Sequence, residues 1–229
     1  MKMEKTENRK LLAITAHPDD DILFGGTLLK LRKKGWKLFE VILTGNDPER
    51  RKEAKVFAKL IGIEKIFWLK AEDGFLSKNK KILEKLITVI RNVNPDVIIL
   101  LNPHDYHKDH RQTHSLGLEA IEMATRNSYF QYGKPISDTP LILVADGLNL
   151  LENPDLIIDI SSEFAFKTQY AKKSYISQVN LDLLNFIKGV SMARGARIKT
   201  KHGEAFMIGK IYSRPIFSKK TIEVLKDFF

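Results

Sequence analysis

Leu11-Leu12-Ala13-Ile14-Thr15-Ala16-His17-Pro18-Asp19-Asp20-Asp21 is the stretch on which the reading of this chain turns. Its opening, Leu11–Thr15, is a nearly continuous apolar run, the pattern of a strand covered on both faces rather than of one half exposed to water. The run stops at a polar turn, after which Ile22–Lys33 carries apolar residues at helical spacing. The same unit recurs: Leu38–Thr44, Lys65–Leu69 and Val97–Leu101 read as buried strands, with Glu49–Ile61 and Asn79–Asn92 as helices between them. In Glu49–Ile61 the residues Ala54, Phe57, Ala58 and Ile61 form one stripe, and Gly62 ends the helix. Such alternation predicts an α/β fold, a Rossmann-like three-layer α/β/α sandwich with a mostly parallel sheet.

The second half is less regular. His110–Ala124 reads as a helix, Leu141–Ala145 and Leu156–Ile160 as strands, Ser162–Leu184 as helical, and Arg126–Pro140 as a linker-like segment. No repeat and no break in composition marks a second domain, so 1–229 is read as one domain with its core at about residues 10–210.

Composition excludes several classes of function. The 229 residues contain no cysteine, which removes disulfides, thiol catalysis, iron–sulfur clusters and cysteine-bound zinc. No apolar run approaches the roughly 18–20 residues of a membrane span. The basic start (Lys2, Lys5, Arg9, Lys10) is followed by too short an apolar stretch for a signal peptide, and a cytoplasmic location is expected. The net charge is +10, and Glu163–Lys220 holds 12 Lys or Arg against three acids. That excess suits a solvated face or attraction of an anionic ligand; no nucleic-acid-binding motif accompanies it.

Five of the six histidines fall in two segments. One is His17-Pro18-Asp19-Asp20 after the first strand. The other is His104-Asp105-Tyr106-His107-Lys108-Asp109-His110 after the fourth, with His114 one helical turn on. Loops outside the carboxyl ends of parallel strands are where such folds bind ligands, so both clusters belong on one rim. Imidazole and carboxylate without thiols suit zinc or a similar divalent ion. His17, Asp20 and His110 can supply three ligands and leave a position open for water. Asp19 then stands as a candidate general base, and His107 near the developing oxyanion or leaving group, with Asp109 holding or charging its ring. Asp21 is expected to cap the helix that Ile22 begins.

These residues carry a resemblance. His17-Pro18-Asp19-Asp20, Gly25-Gly26-Thr27 and His107-Lys108-Asp109-His110 resemble the PIG-L (LmbE-like) N-deacetylase family. Weaker marks agree: Thr44-Gly45, Arg50 and Glu53, Asp73-Gly74, Pro95-Asp96-Val97, Asp159-Ile160-Ser161, Ser177-Gln178 and Gly203-Glu204-Ala205-Phe206. The resemblance implies a zinc-dependent hydrolase that removes acetyl from an N-acetylglucosamine-type amino sugar by a zinc-activated water. It implies His17, Asp20 and His110 as ligands, Asp19 as base and His107 as stabiliser of the tetrahedral intermediate. Arg50, with Arg51 as a rival, is implied to meet substrate oxygens. His104 joins them as a candidate substrate-binding residue, and His104 and His114 could support the ligands from behind. The family frequently has Glu where Asp21 stands and Pro where Lys108 stands, and neither position is a ligand.

Alternatives remain open at this point. The ligand set is formally that of a 2-His-1-carboxylate iron oxygenase, and Fe2+ or another divalent ion could replace zinc. A metal-dependent amidase or phosphoesterase acting on an anionic small molecule is a second alternative, and a basic surface-binding protein a third. Similar proteins are often oligomeric, so a homo-oligomer is compatible with this reading.

Overall fold

β1 (Lys10–Thr15) lies inside the sheet, pairing in parallel with β2 (Lys37–Ile42) on one side and β4 (Val97–Leu100) on the other. β3 (Ile63–Trp68) extends the sheet beyond β2, and β5 (Leu141–Ala145) runs beside β4, both parallel. β7 (Gly203–Ile208) and β6 (Leu156–Asp159) are antiparallel additions, which completes the order β3-β2-β1-β4-β5-β7-β6. This computed structural model describes residues 9–77, 79–177, 180–211 and 219–229. Lys2, Lys5 and Gln178, singled out from the sequence, lie outside the described residues.

The continuous apolar strands do what their pattern requires. Leu11 and Ala13 of β1 enter a core with Trp36, Leu28 and Phe57, while Leu12 and Ile14 enter another with Leu86, Ile90 and Leu116. α1 (Gly25–Lys33), α2 (Pro48–Ile61) and α5 (Phe164–Ser174) contact one another over the first core. α3 (Lys80–Val93) and α4 (Lys108–Thr125) cover the second. The expected α/β fold with a mostly parallel sheet is therefore present. Among the described residues no helix is long and apolar enough to cross a membrane.

The order of strands reverses between β1 and β4, because β1 leads to β2 on one side and β4 leads to β5 on the other. A crevice opens outside the carboxyl ends at such a reversal. His17 follows β1 and His107 precedes α4, so both histidine segments border that crevice.

Several elements differ from the sequence reading. The helix expected over Ser162–Leu184 is two helices, α5 and α6 (Leu181–Arg197). Asn180 starts the second by accepting from the Leu183 amide at 2.8 Å, and Tyr175 turns inward at the break, where it is 1% exposed. β7 is an addition to the strands read from sequence, where Gly203-Glu204-Ala205-Phe206 is only a family mark, its carboxylate breaking the apolar run. The segment read as a linker, Arg126–Pro140, is fastened by Arg91, which donates to the carbonyls of Ala124, Tyr129, Gly133, Met123, Arg126 and Ser128. The last helix, α7, spans Lys219–Leu225.

Glu204 of β7 explains Gly25-Gly26-Thr27. Its carboxylate accepts from the amides of Gly26 (2.9 Å) and Thr27 (2.7 Å), occupying donors that the first turn of α1 would leave free. A Cβ on Gly26 would lie 2.8 Å from Ile160 and 2.9 Å from that carboxylate, so only glycine admits the approach. Lys167, itself 1% exposed, pairs with Glu204 at 2.7 Å and reaches the Leu23 carbonyl at 3.2 Å. Lys167→Met should therefore lower unfolding stability by about 3–5 kcal/mol, since it strands a buried carboxylate. Adding Glu204→Gln, which keeps one acceptor for the amides, should restore part of the loss. Urea unfolding of the single and double variants checks this, and an unchanged midpoint for Lys167→Met would refute it.

Candidate active site

The loop after β1 is wound tightly by Asp20. Its Oδ2 accepts from the amides of Ala16 (2.8 Å) and His17 (2.9 Å), which turns Oδ1 outward. That oxygen lies 3.1 Å from His110 Nε2 and 3.6 Å from His17 Nδ1. Behind His110, Asp105 Oδ2 stands 3.3 Å from Nδ1, and Asp105 in turn accepts from the amides of His107 (3.0 Å) and Leu148 (2.9 Å). His17 Nε2 faces Asp73 at 3.1 Å and Asp109 at 3.3 Å. The sequence-predicted trio His17, Asp20 and His110 is thus brought together, all three residues buried.

This arrangement asks for cations. Burial pulls the His17 pKa down, but the hydrogen bond and charge of Asp20 and the charge of Asp73 raise it to about 9. For His110, burial is likewise overridden by Asp20 and Asp105, and the value reaches about 10. Burial works to raise Asp20, yet His110 and His17 hold it well below the usual carboxylate range. A divalent ion satisfies the same demand. Two ligands on one tetrahedral ion at 2.0–2.1 Å lie about 3.3 Å apart, close to the separations of Asp20 Oδ1 from the two rings. With Nδ1 of His110 turned to Asp105, its Nε2 is free to ligate, the usual arrangement behind a metal-bound histidine. Ring nitrogens of His17, His107 and His110, and donors of His17, Asp73 and Asp109, also lie within 4.8 Å of one another, so the residues gathered here fit a metal ion.

A consequence can be measured. At pH 7.5 the metal-free site holds a proton on each of His17 and His110, and ligation must expel both. Calorimetric zinc titration in two buffers of different ionisation heat should show close to two protons released per ion, with apparent affinity climbing as pH rises toward 9 to 10. Release of none would mean that these rings are not the ligands. Without metal, the same raised values stabilise the fold fully below pH about 6.5, and that contribution is lost as pH rises through 9 to 10.

Asp19 stands beside this cluster, one-fifth exposed, with Oδ1 held by Arg50 Nη2 at 3.1 Å. Arg50 also donates to Asp73 at 2.9 Å, so one guanidinium bridges two carboxylates. Burial, then the charge of Asp20, raises Asp19 to about 6 against the opposing pull of Arg50. Arg51 makes a different contact: its guanidinium lies over the Trp68 ring at 4.8 Å. Trp68 also presses on Gly45, whose φ is +88° and whose added Cβ would meet the ring at 2.7 Å; Thr44-Gly45 thereby packs the loop from below.

His107 caps α4. Its Nδ1 accepts from the Asp109 amide at 3.2 Å, which puts the proton of a neutral ring on Nε2. Burial and the charges of His17 and His110 push its pKa down, so the ring is neutral at pH 7. The carboxylate of Asp109 does not hold this ring by a hydrogen bond: it accepts from the amides of Gly74 (2.7 Å) and Leu76 (3.2 Å) and faces His17, and only its charge acts on His107, opposing the fall in pKa.

Asp21 is not a helix cap. It sits in a 3₁₀ turn, Asp20–Leu23, and accepts from the Tyr175 hydroxyl at 2.7 Å. Burial pushes it up to about 8, and burial raises neighbouring Glu40 well above its usual value. Burial thus works against the charge of both carboxyls. His104 is exposed, its amide bonded to Asn102; His114 bonds the Leu101 carbonyl, and His202 stacks on Phe164 with centroids 3.8 Å apart. Asp73 and Asp105, which the sequence marks without a role, join the site through His17 and His110. Both follow the carboxyl ends of strands, and that placement was the available signal.

A family model described as PIG-L: GlcNAc-PI de-N-acetylase matches residues 12–121, which contain both histidine segments. Residues 12–121 form a PIG-L family domain. The diacetylchitobiose deacetylase of Thermococcus kodakarensis is 28% identical over 193 residues, covering 76% of this chain and 72% of that protein. The structure of N,N'-diacetylchitobiose deacetylase from Pyrococcus horikoshii in complex with its inhibitor MPG superposes with a TM-score of 0.78. It is 26% identical, with 88% of this chain and 84% of that chain covered. GalB, the 4-carboxy-2-hydroxymuconate hydratase from Pseudomonas putida KT2440, reaches the same TM-score at 20% identity, covering 93% and 100%. That last likeness concerns the fold alone. One PIG-L-like scaffold therefore carries hydration as well as deacetylation, and the reaction has to be argued from the site.

Proposed function

We propose that this protein is a divalent-metal-dependent deacetylase that hydrolyses the acetamide of an N-acetylglucosamine-type amino sugar. The observation that carries the reading is the convergence of buried His17, Asp20 and His110 at one crevice, with Asp19 beside them near pKa 6 under Arg50. The relatives that act on diacetylchitobiose support the substrate class. His17, Asp20 and His110 would hold the ion; bound there it would act as a Lewis acid toward water and the acetyl carbonyl. Imidazole and carboxylate donors suit zinc, with Fe2+ the alternative.

The rest is the work of the chain. Asp19 takes the proton of the attacking water, a task matched to a carboxylate that is ionised above pH about 6. Arg50 fixes the orientation of that carboxylate. Once protonated, Asp19 passes the proton to the departing amine, so that amide and water become acetate and free amino sugar. His107, neutral with its proton on Nε2, donates to the carbonyl oxygen as negative charge develops there. Asp109 and Asp105 orient His17 and His110 from behind.

The basic segment contributes less than its composition suggests. Lys167 is consumed by Glu204, and Arg194 by Asp146 at 2.9 Å, both inside the protein. An anionic group on the sugar would have to be read by the remaining cations. Acetate release from neutral, phosphorylated and nucleotide-linked N-acetylglucosamine derivatives by zinc-loaded protein tests the proposal. Release from at least one form is expected, and its preference ranks neutral against anionic sugars. No release from any form, with stoichiometric metal bound, would overturn the deacetylase reading.

A further inference from the structure

Two strongly exposed aromatic side chains stand beside the site, Phe75 at 69% and Tyr106 at 65% exposure. Each is carried on backbone that a site carboxylate grips. Asp109 accepts from the amides of Gly74 and Leu76, the residues on either side of Phe75, and the Phe75 amide itself donates to the Glu72 carbonyl at 3.3 Å. Asp105 accepts from the amide that follows Tyr106, while Arg111 donates to the carbonyls of Asp105 (2.7 Å) and Tyr106 (2.6 Å). The Tyr106 and His107 ring centroids are 6.3 Å apart, and Asp73, two residues before Phe75, touches His17. The acids that orient His17 and His110 are thus the same acids that fix the two aromatic residues.

Scattered apolar residues on a surface need no explanation. Two aromatic rings on the two loops that border one polar crevice are a different matter, because neither ring gains burial by being there. A flat apolar face beside hydrogen-bonding groups matches a pyranose, which is apolar on its CH faces and polar at its rim. Backbone held in place beforehand also lowers the ordering cost of binding.

We propose that Phe75 and Tyr106 form the stacking subsite for the pyranose ring of the substrate, a role that rests on the amino-sugar reading above. The two rings take the apolar face of the sugar and thereby set specificity, while Asp19 and His107 act on its acetamide. Both rings are mostly in solvent, so their removal leaves the core untouched.

The test uses zinc-loaded Phe75→Ala, Tyr106→Ala and Phe75→Trp with N-acetylglucosamine and diacetylchitobiose. KM for acetate release should rise about tenfold in each alanine variant, the loss of one stacked ring, with kcat within about twofold. Phe75→Trp should restore KM, and thermal midpoints should not move. Calorimetric binding of the same sugars to each variant in an Asp19→Asn background gives a readout free of hydrolysis. Unchanged KM and unchanged affinity in both alanine variants would overturn the subsite with deacetylation intact. A change from dimer to monomer in Phe75→Ala with KM unaltered would place the ring in an interface between copies and equally overturn it. Weakened sugar binding by the alanine variants of a protein that releases no acetate would uphold the subsite and overturn the deacetylase. No measurable affinity for either sugar would overturn both.

Discussion

Asp19→Asn is expected to lower kcat for acetate release by about 10²–10⁴ while leaving the bound metal in place. The substitution keeps the size of the side chain and an oxygen for the Arg50 contact, now 3.1 Å long, but removes the capacity to take a proton. Asp20, not Asp19, supplies the oxygen between His17 and His110, so metal content should stay at the wild-type level. The pH profile gives a second check. A general base works when deprotonated, so wild-type kcat/KM should rise with pH through the Asp19 titration and flatten above it. Burial and the charge of Asp20 set that limb at about pH 6. A bound cation would draw it lower, because positive charge favours the carboxylate. The Asn variant should lose the limb altogether. Turnover above a tenth of wild type, or an unchanged acid limb, would remove Asp19 from the role of base.

What a sequence can mark at this rim, and what only the fold decides, is a matter of distance along the chain: Asp73 follows a strand end, but its contacts with His17 and Arg50 reach across more than twenty residues. β1, β2 and β4 declare themselves, since a strand buried on both faces has to be apolar at almost every position, as Leu11–Ile14 and Val97–Leu100 are. Strand ends then place His17 and His107 on one rim without any knowledge of side-chain contacts. β7 escapes the same rule because Glu204 interrupts its apolar run, and Glu204 is tolerable only through Lys167, 37 residues away. The division between α5 and α6 is equally non-local: Tyr175 leaves the helix to meet Asp21, 154 residues back in the chain. Asp109 shows the limit most clearly. Its neighbour in sequence is His107, but its carboxylate serves Gly74, Leu76 and His17, and no local pattern encodes that choice.

His110→Ala and His107→Ala should separate metal binding from transition-state stabilisation, although the two residues lie one helical turn apart. His110 faces a carboxylate at each ring nitrogen, Asp20 3.1 Å from Nε2 and Asp105 3.3 Å from Nδ1. Removing it takes away one of three donors and leaves two buried carboxylates without the ring, so the purified variant should carry no zinc and no activity. His107 has one nitrogen spent as a helix cap on the Asp109 amide. Its loss should cost about 1 kcal/mol of stability for the missing cap. The same variant should keep its zinc while kcat falls about 10²–10³, the usual effect of deleting one oxyanion donor. A rival geometry exists, since ring nitrogens of His17, His107 and His110 all lie within 4.8 Å of one another, as do donors of His17, Asp73 and Asp109. If three imidazoles bound the ion, both variants would lose it; if His17, Asp73 and Asp109 did, both would keep it. Elemental analysis of the two proteins beside wild type decides among these arrangements, and only metal retained in His107→Ala and lost in His110→Ala agrees with Asp20 as the third ligand.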